Sequence, residues 1–347
     1  MFGGPLCDQC APGTVGVVPD CHAVPSDYTR TQAYGPTVAT GLRTCFGDTA
    51  VMSCPGDPAQ STCSTTPGCG QDAQFPSEPR QLVRTQEGDQ WVVTDQATGL
   101  RWLDEWTTTY SDFAANPLAS CGSRPGWSYP SLQELASLIL ESGDASQNPV
   151  SALLFPPEIL SGTGAYLLTS QRCAAFANNH WFIQARNGLI RNQAAAGVAG
   201  QTLCVQRPTG PVNAPFTRYT SHTPVAGQDV WRDRVTGLWW SGQQSLLADG
   251  RTWFQALSYC QGMSLGGQTD WRLPNVKELL SVVDYTRHSP SATMSAMQVA
   301  NYWSSTTRAN TPASAVVISF GEGKMELLGK TSAAAARCVR GPAPAPP

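Results

Sequence analysis

Apolar residues along this chain recur at two spacings, and the places where the spacing changes mark its elements. From Pro130 the sequence reads Pro-Ser131-Leu-Gln-Glu134, and from Pro274 it reads Pro-Asn275-Val-Lys-Glu278. In both, a residue suited to cap a helix is followed three positions on by a glutamate that reaches back to the cap's own N–H, which predicts a helix start. Leu135, Leu138 and Ile139, and again Leu279, Val282 and Val283, then fall at helical spacing. Thr252 to Met263 predicts a further amphipathic helix carrying Cys260. The alternating run from Ala315 to Phe320 predicts a strand, and Lys324 to Leu328 the returning arm of a hairpin about Gly321 to Gly323. Two T-G-L-x-W segments predict a turn running into a strand, with Gly99 and Gly237 supplying the turn.

Aligning the chain with itself shows that these features come in pairs. V-V-T-D95-Q-A-T-G-L-R-W answers V-W-R-D233-R-V-T-G-L-W-W. Cys121 answers Cys260, and G-W-S-Y-P-S-L-Q-E-L answers D-W-R-L-P-N-V-K-E-L. Ala-Tyr166-Leu-Leu-Thr-Ser-Gln-Arg172 answers Asn-Tyr302-Trp-Ser-Ser-Thr-Thr-Arg308, and Cys204-Val answers Cys338-Val. The blocks keep one order, at offsets from 134 (Cys204 to Cys338) to 144 (Pro130 to Pro274). Two divergent copies of one module are the expectation, each closed by its own cysteine pair, Cys121 with Cys204 and Cys260 with Cys338. Early strands, two helices and a late antiparallel sheet in each module make the expected class α+β. The expected boundaries are a cysteine-rich, mostly irregular segment at 1–80, a first module at 81–209 and a linker at 210–224. A second module at 225–341 and a Pro/Ala tail at 342–347 follow.

Composition narrows the setting. Glycine (32) and proline (27) with only 14% charged residues favour short strands and many turns. The net charge is -3, lysine occurs only at 277, 324 and 330, and no basic run exists, so nucleic acid is not an expected partner. Twelve cysteines, mostly isolated, read as disulfides formed in an oxidising compartment. No apolar stretch is long enough for a transmembrane helix. Export is therefore expected, with the targeting segment outside this chain and lipid attachment at Cys7 left open. Cys45 and Cys54 bracket a short hairpin, and Cys63 and Cys69 a second small loop. Seven cysteines before residue 80 is an odd count, and a bond from Cys173 to that segment would settle it, leaving the pairing of Cys7, Cys10 and Cys21 undetermined.

At T-G-L-x-W, D-W-R-L-P-x-x-K-E-L and Y-W-S-S-T the chain resembles a bacterial domain family of unassigned biochemistry. That family is similar to the C-terminal domain of the Legionella collagen-like adhesin. The blocks are well kept in the second copy and eroded in the first, and the stretch from Cys45 to Cys54 with Gly70-Gln-Asp72 resembles a lead-in found ahead of this domain in exported proteins. The resemblance implies C-type-lectin-like modules, export, and attachment to or recognition of a glycan or protein at a surface. Positive charge of the kind tied to sulfated-glycan binding has no evident cluster here.

By analogy with that fold, the ligand-meeting residues are expected to be Tyr302, Trp303, Ser305, Thr306 and Arg308 in the second module. In the first they are Ser170, Gln171, Arg172, Asn179 and Trp181. Trp102, Trp127, Trp240 and Trp271 sit in the repeated blocks and read as core. Glu134 and Glu278 read as helix-start residues rather than catalytic carboxylates, and Arg272 as the partner of Glu278 or Asp284. Scattered histidines (His22, His180, His222, His288), with no nucleophile elbow and no phosphate loop, make an enzyme the third choice. No cofactor is expected: Cys7-x-x-Cys10 alone is weak zinc spacing, and no calcium loop occurs, although a structural calcium stays compatible with the sequence. The alternative to a binding protein is a self-assembling subunit of a surface appendage.

Overall fold

The computed structural model describes residues 14–15, 22–23, 40, 42–75, 81–104, 110–112, 121, 124–139, 166–176, 178–185, 187–194, 196–201, 203–207, 219–222, 229–233, 235–245, 250–294 and 297–341. Expectations at Cys7, Cys10, Cys21 and the Pro/Ala tail lie outside them. In chain order, the first half carries β1 (Leu82–Glu87), β2 (Gln90–Asp95), β3 (Arg101–Leu103), the helix α1 (Leu132–Ser137), β4 (Tyr166–Arg172), β5 (Asn179–Gln184), β6 (Ile190–Ala194) and β7 (Val205–Gln206). The second half carries β8 (Tyr219–His222), β9 (Val230–Asp233), β10 (Trp239–Ser245), α2 (Trp253–Gln261), α3 (Val276–Ser281), β11 (Asn301–Thr307), β12 (Ser314–Ser319), β13 (Lys324–Gly329) and β14 (Ala336–Arg340).

The strands fall into small antiparallel sheets. Their orders are β7-β3-β2-β1 and β6-β5-β4 in the first half, β14-β10-β9-β8 and β11-β12-β13 in the second. The three described α-helices are only six, nine and six residues long. Strand, not helix, is the substance of the fold, which overturns the α+β, C-type-lectin-like expectation. The physical reason is helix length: α2 stops at Gly262, α1 and α3 end after six residues at Leu138 and Val282, and helices so short cap sheets rather than form a layer of their own.

Local chemistry explains the repeated blocks. In D-x-x-T-G-L the Asp95 carboxylate accepts from Ala97 N at 3.0 Å and Thr98 Oγ1 at 2.5 Å, and Asp233 accepts from Val235 N at 3.0 Å and Thr236 Oγ1 at 2.9 Å. The turn then needs a residue at positive φ, which Gly99 (70°) and Gly237 (76°) provide. At the helix starts Ser131 and Glu134, like Asn275 and Glu278, form reciprocal capping boxes.

Each capping glutamate is itself buried and also holds a guanidinium, which the two halves supply from different places. Arg272, just before α3, grips Glu278 with both Nη atoms at 2.5 and 2.6 Å. Its block partner is Ser128, which cannot. Instead Arg207, just after β7, reaches over Ser128 and grips Glu134 at 2.6 and 2.8 Å, donating to the serine hydroxyl on the way. The same ion pair is made from another strand.

Cys121–Cys204 and Cys260–Cys338 are disulfides, as are Cys45–Cys54 and Cys63–Cys69. Cys260–Cys338 ties α2 to β14; the helix expected around Cys121 lies outside the described residues. Cys173 is a correction: it is a free thiol, buried in the core, with burial pushing its pKa up.

Candidate functional site

Side chains on β11 point where the packing sends them, and that is mostly inward. Tyr302 and Trp303 are both fully buried. Tyr302 packs edge-on against Phe320 at 5.3 Å and accepts from Gln298 N, while Trp303 donates its indole N–H to the Arg251 carbonyl at 2.7 Å. Ser305 is buried, with its amide on the Pro274 carbonyl. Thr306 accepts the α3 amide of Val276 at 3.0 Å, and Arg308 donates to the Asn187 carbonyl from a buried position. In the first half Trp181 is buried edge-on to Tyr285 at 4.9 Å, and Gln171 accepts the α1 amide of Leu132 at 2.7 Å. The side chain of Ser170 is outside the described residues. These positions are struts and caps, and only Arg172 (exposed) with Asn179 and Gln171 (half-buried) are left near the surface.

The pairing of the two halves also slips by one residue here. Parallel bridges join Leu167 to Gln201 and Tyr302 to Ala335, and Thr169 and Ser304 each donate a hydroxyl to the facing strand, to Trp181 O and Val316 O. Leu167, not Tyr166, thus stands at the place of Tyr302, and Gln171 at the place of Thr306.

What gathers at the surface is a seam between the halves. The turn from β4 to β5 carries Phe176, 49% exposed, and leads into Asn179. Asn179 donates to Asn192 Oδ1 on β6 at 3.0 Å, Asn192 donates to Glu322 at 3.1 Å, and Lys324 pairs with Glu322 at 2.7 Å. Partial burial would raise the Glu322 pKa, but hydrogen bonds from Lys324 and Asn192 hold it below the usual carboxylate range. His180, beside Arg172, is pushed down to about 4 by burial and by that cation, so it is neutral at physiological pH. Two amides, a carboxylate, an ammonium and an exposed ring can exchange hydrogen bonds with a polar ligand and stack on it. No nucleophile–base pair joins them, and the described residues hold no group of three or more His, Cys, Asp or Glu side chains fit for a metal ion.

Underneath the seam the halves share one hydrophobic cluster, which includes Trp102, Trp181 and Ile183 from the first and Trp240, Tyr285 and Tyr302 from the second. Helix α1 meets α3, where Lys277 donates to the Ala136 carbonyl at 2.5 Å, and β6 meets β13, where Arg191 donates to the Met325 carbonyl.

The described part of the cysteine-rich segment docks on the second half. Its 3-10 turn Ser61–Thr65 lies on α2, and Lys330, buried against the Trp253 ring at 4.1 Å, donates to the carbonyls of Phe46 (3.3 Å) and Gly47 (2.9 Å). Asp72 is the innermost contact, accepting from Thr306 Oγ1 at 2.7 Å. Burial pushes its pKa up to about 7 against the lowering hydrogen bonds of Thr306 and Thr40; Glu278 adds to the rise and Arg272 opposes it. Neither Asp72 nor Lys330 stands out by sequence spacing, because each becomes a partner only through contacts more than two hundred residues apart.

Fold and bonds together define a disulfide-bonded, antiparallel β protein, and no described helix is long and apolar enough to cross a membrane. Residues 229–340 match the family model of the Lcl C-terminal domain, so this part of the chain is similar to that domain. No curated protein matches the chain.

Proposed function

We propose that the chain is an exported, non-enzymatic binding protein that attaches to a glycan or protein at a surface. The observation that carries this reading is the similarity of residues 229–340 to the Lcl C-terminal domain, a surface-adhesin-type domain. Four disulfides fit an oxidising location outside the cell. The two halves are, in this reading, copies of one module, supported by the matching strand orders and paired capping boxes. The ligand face is the seam of Arg172, Phe176, Asn179, Asn192, Glu322 and Lys324, because the buried residues of β11 offer no surface. Arrayed glycans and surface-protein preparations probed with the intact chain test this. Binding that Phe176→Ala and Asn192→Ala each reduce about tenfold or more, as loss of a central aromatic or amide anchor does, supports it; binding indifferent to both variants moves the face elsewhere.

A second reading, a self-assembling surface subunit, is favoured by one feature. β1 is the outer strand of its sheet and is exposed from Val83 to Glu87, so its backbone edge is open to another chain. Ordered multimers formed by the pure protein without ligand, and abolished by Thr85→Pro, would select it.

A further inference from the structure

Two guanidinium groups set into this protein are matched by a carboxylate, Arg272 by Glu278 and the half-buried Arg207 by Glu134. Arg337, on β14 beside the bridging Cys338, is not. It has 0% exposure; its Nε donates to the Ser241 carbonyl at 2.9 Å, its Nη1 reaches only the Met297 thioether at 3.3 Å, and its Nη2 donates to nothing. Burial pulls its pKa down to about 10, which still leaves it protonated at neutral pH. An uncompensated charge inside an apolar cluster is among the costliest arrangements a fold can hold.

Among the described residues no carboxylate pairs with it, and its acceptors are one carbonyl and one thioether. β14 pairs with β10 so that Val339 faces Trp240, and Arg337, two residues before Val339, projects to the same side of the sheet. Of the two phenols near it, Tyr219 is already bonded to Thr293 Oγ1 at 2.6 Å and Tyr302 accepts from Gln298 N at 3.1 Å, so neither neutralises the guanidinium. In the first half the residue before the bridging Cys204 is Leu203, fully buried, so hydrocarbon fills the matching position and no charge needs balancing there.

We propose that Arg337 holds a small inorganic monovalent anion, of the size of chloride, enclosed in the second half as it folds. Full burial admits an ion but no side chain of a partner, and a fixed positive charge with guanidinium N–H groups left over is the complement of a halide.

The test uses the whole oxidised chain, with chloride exchanged stepwise for gluconate at fixed ionic strength. The folded-to-unfolded ratio is expected to rise by up to about tenfold for each tenfold rise in chloride. Arg337→Leu, which copies the first half, is expected to fold and to lose that dependence. A wild-type chain indifferent to chloride, or a leucine variant with the same dependence, overturns the proposal. Should the variant not fold, crystals of the wild-type chain grown with bromide decide: an anomalous peak against the Arg337 guanidinium supports the site, and its absence overturns it.

Discussion

Glu134 and Glu278 each serve two partners at once, the backbone of a helix start and a guanidinium. Because Glu134 has 1% of its side chain exposed, removing its cation strands a buried carboxylate. Arg207→Ala is expected to cost about 3–5 kcal/mol, read as a fall in the urea midpoint. The second half shows the remedy. Arginine at position 128 would stand where Arg272 stands relative to Glu278, so Ser128→Arg added to Arg207→Ala is expected to restore most of the loss. If the double variant is as unstable as the single one, the two arginines are not interchangeable sources of the same charge. Sequence spacing suggested Glu278 or Asp284 for Arg272, and the structure selects Glu278. The use of Arg207 was invisible, since its reach over Ser128 depends on β7 lying beside the approach to α1.

At the scale of elements, the segment around Asp72 is a plug that inserts an acid next to the start of α3. Thr306 couples the two, accepting from Val276 N and donating to Asp72. The folded-state pKa of Asp72, about 7, lies above its ordinary value of 3.8, so proton binding favours the docked state. Its contribution is complete below the ordinary value and is lost as pH rises through about 7. The groups facing it are Arg272 and Glu278 from the α3 side, Thr306 from β11 and Thr40 from its own segment. The Asp72 contribution to the thermal midpoint of the wild-type chain is expected to fall away between about pH 4 and about pH 7, while Asp72→Asn flattens that slope. An equal slope in both would remove Asp72 as its cause. Elements themselves were legible wherever local chemistry dictates them: capped helix starts, the T-G-L turns, the β12–β13 hairpin. The burial of β11 was not, because Tyr302 to Thr307 are buried on both sides of the strand although Ser304 to Thr307 are polar, and their partners come from distant elements. Analogy with a lectin-like fold places Trp303 at the ligand, yet it is fully buried.

For the whole molecule, the matter to settle is whether the halves are beads on a string or one body. Corresponding elements of the two halves meet each other, α1 with α3 and β6 with β13, as they would across a two-fold interface. The surface joining them is apolar beneath and polar at the rim, with Trp181 against Tyr285 inside and Asn192 on Glu322 outside. Beads would leave such a surface wet. Each described disulfide closes within one half or within the cysteine-rich segment, so among the described residues nothing covalent but the backbone links Arg207 to Tyr219. A protease site placed between residues 208 and 218 should therefore yield two pieces that migrate as one species in native gel filtration and part only in denaturant. Weakening the interface should expose the difference. Lys277→Ala withdraws an ammonium from the Ala136 carbonyl in a buried setting, and a hydrogen bond from a charged group contributes about 1.5–3 kcal/mol. In the nicked chain that loss is expected to raise the dissociation constant of the halves by roughly ten- to a hundredfold, while the un-nicked variant keeps its compact elution. Pieces that separate on cleavage without any mutation would mean that the shared cluster does not hold the halves together, and the seam could then not serve as a single ligand face.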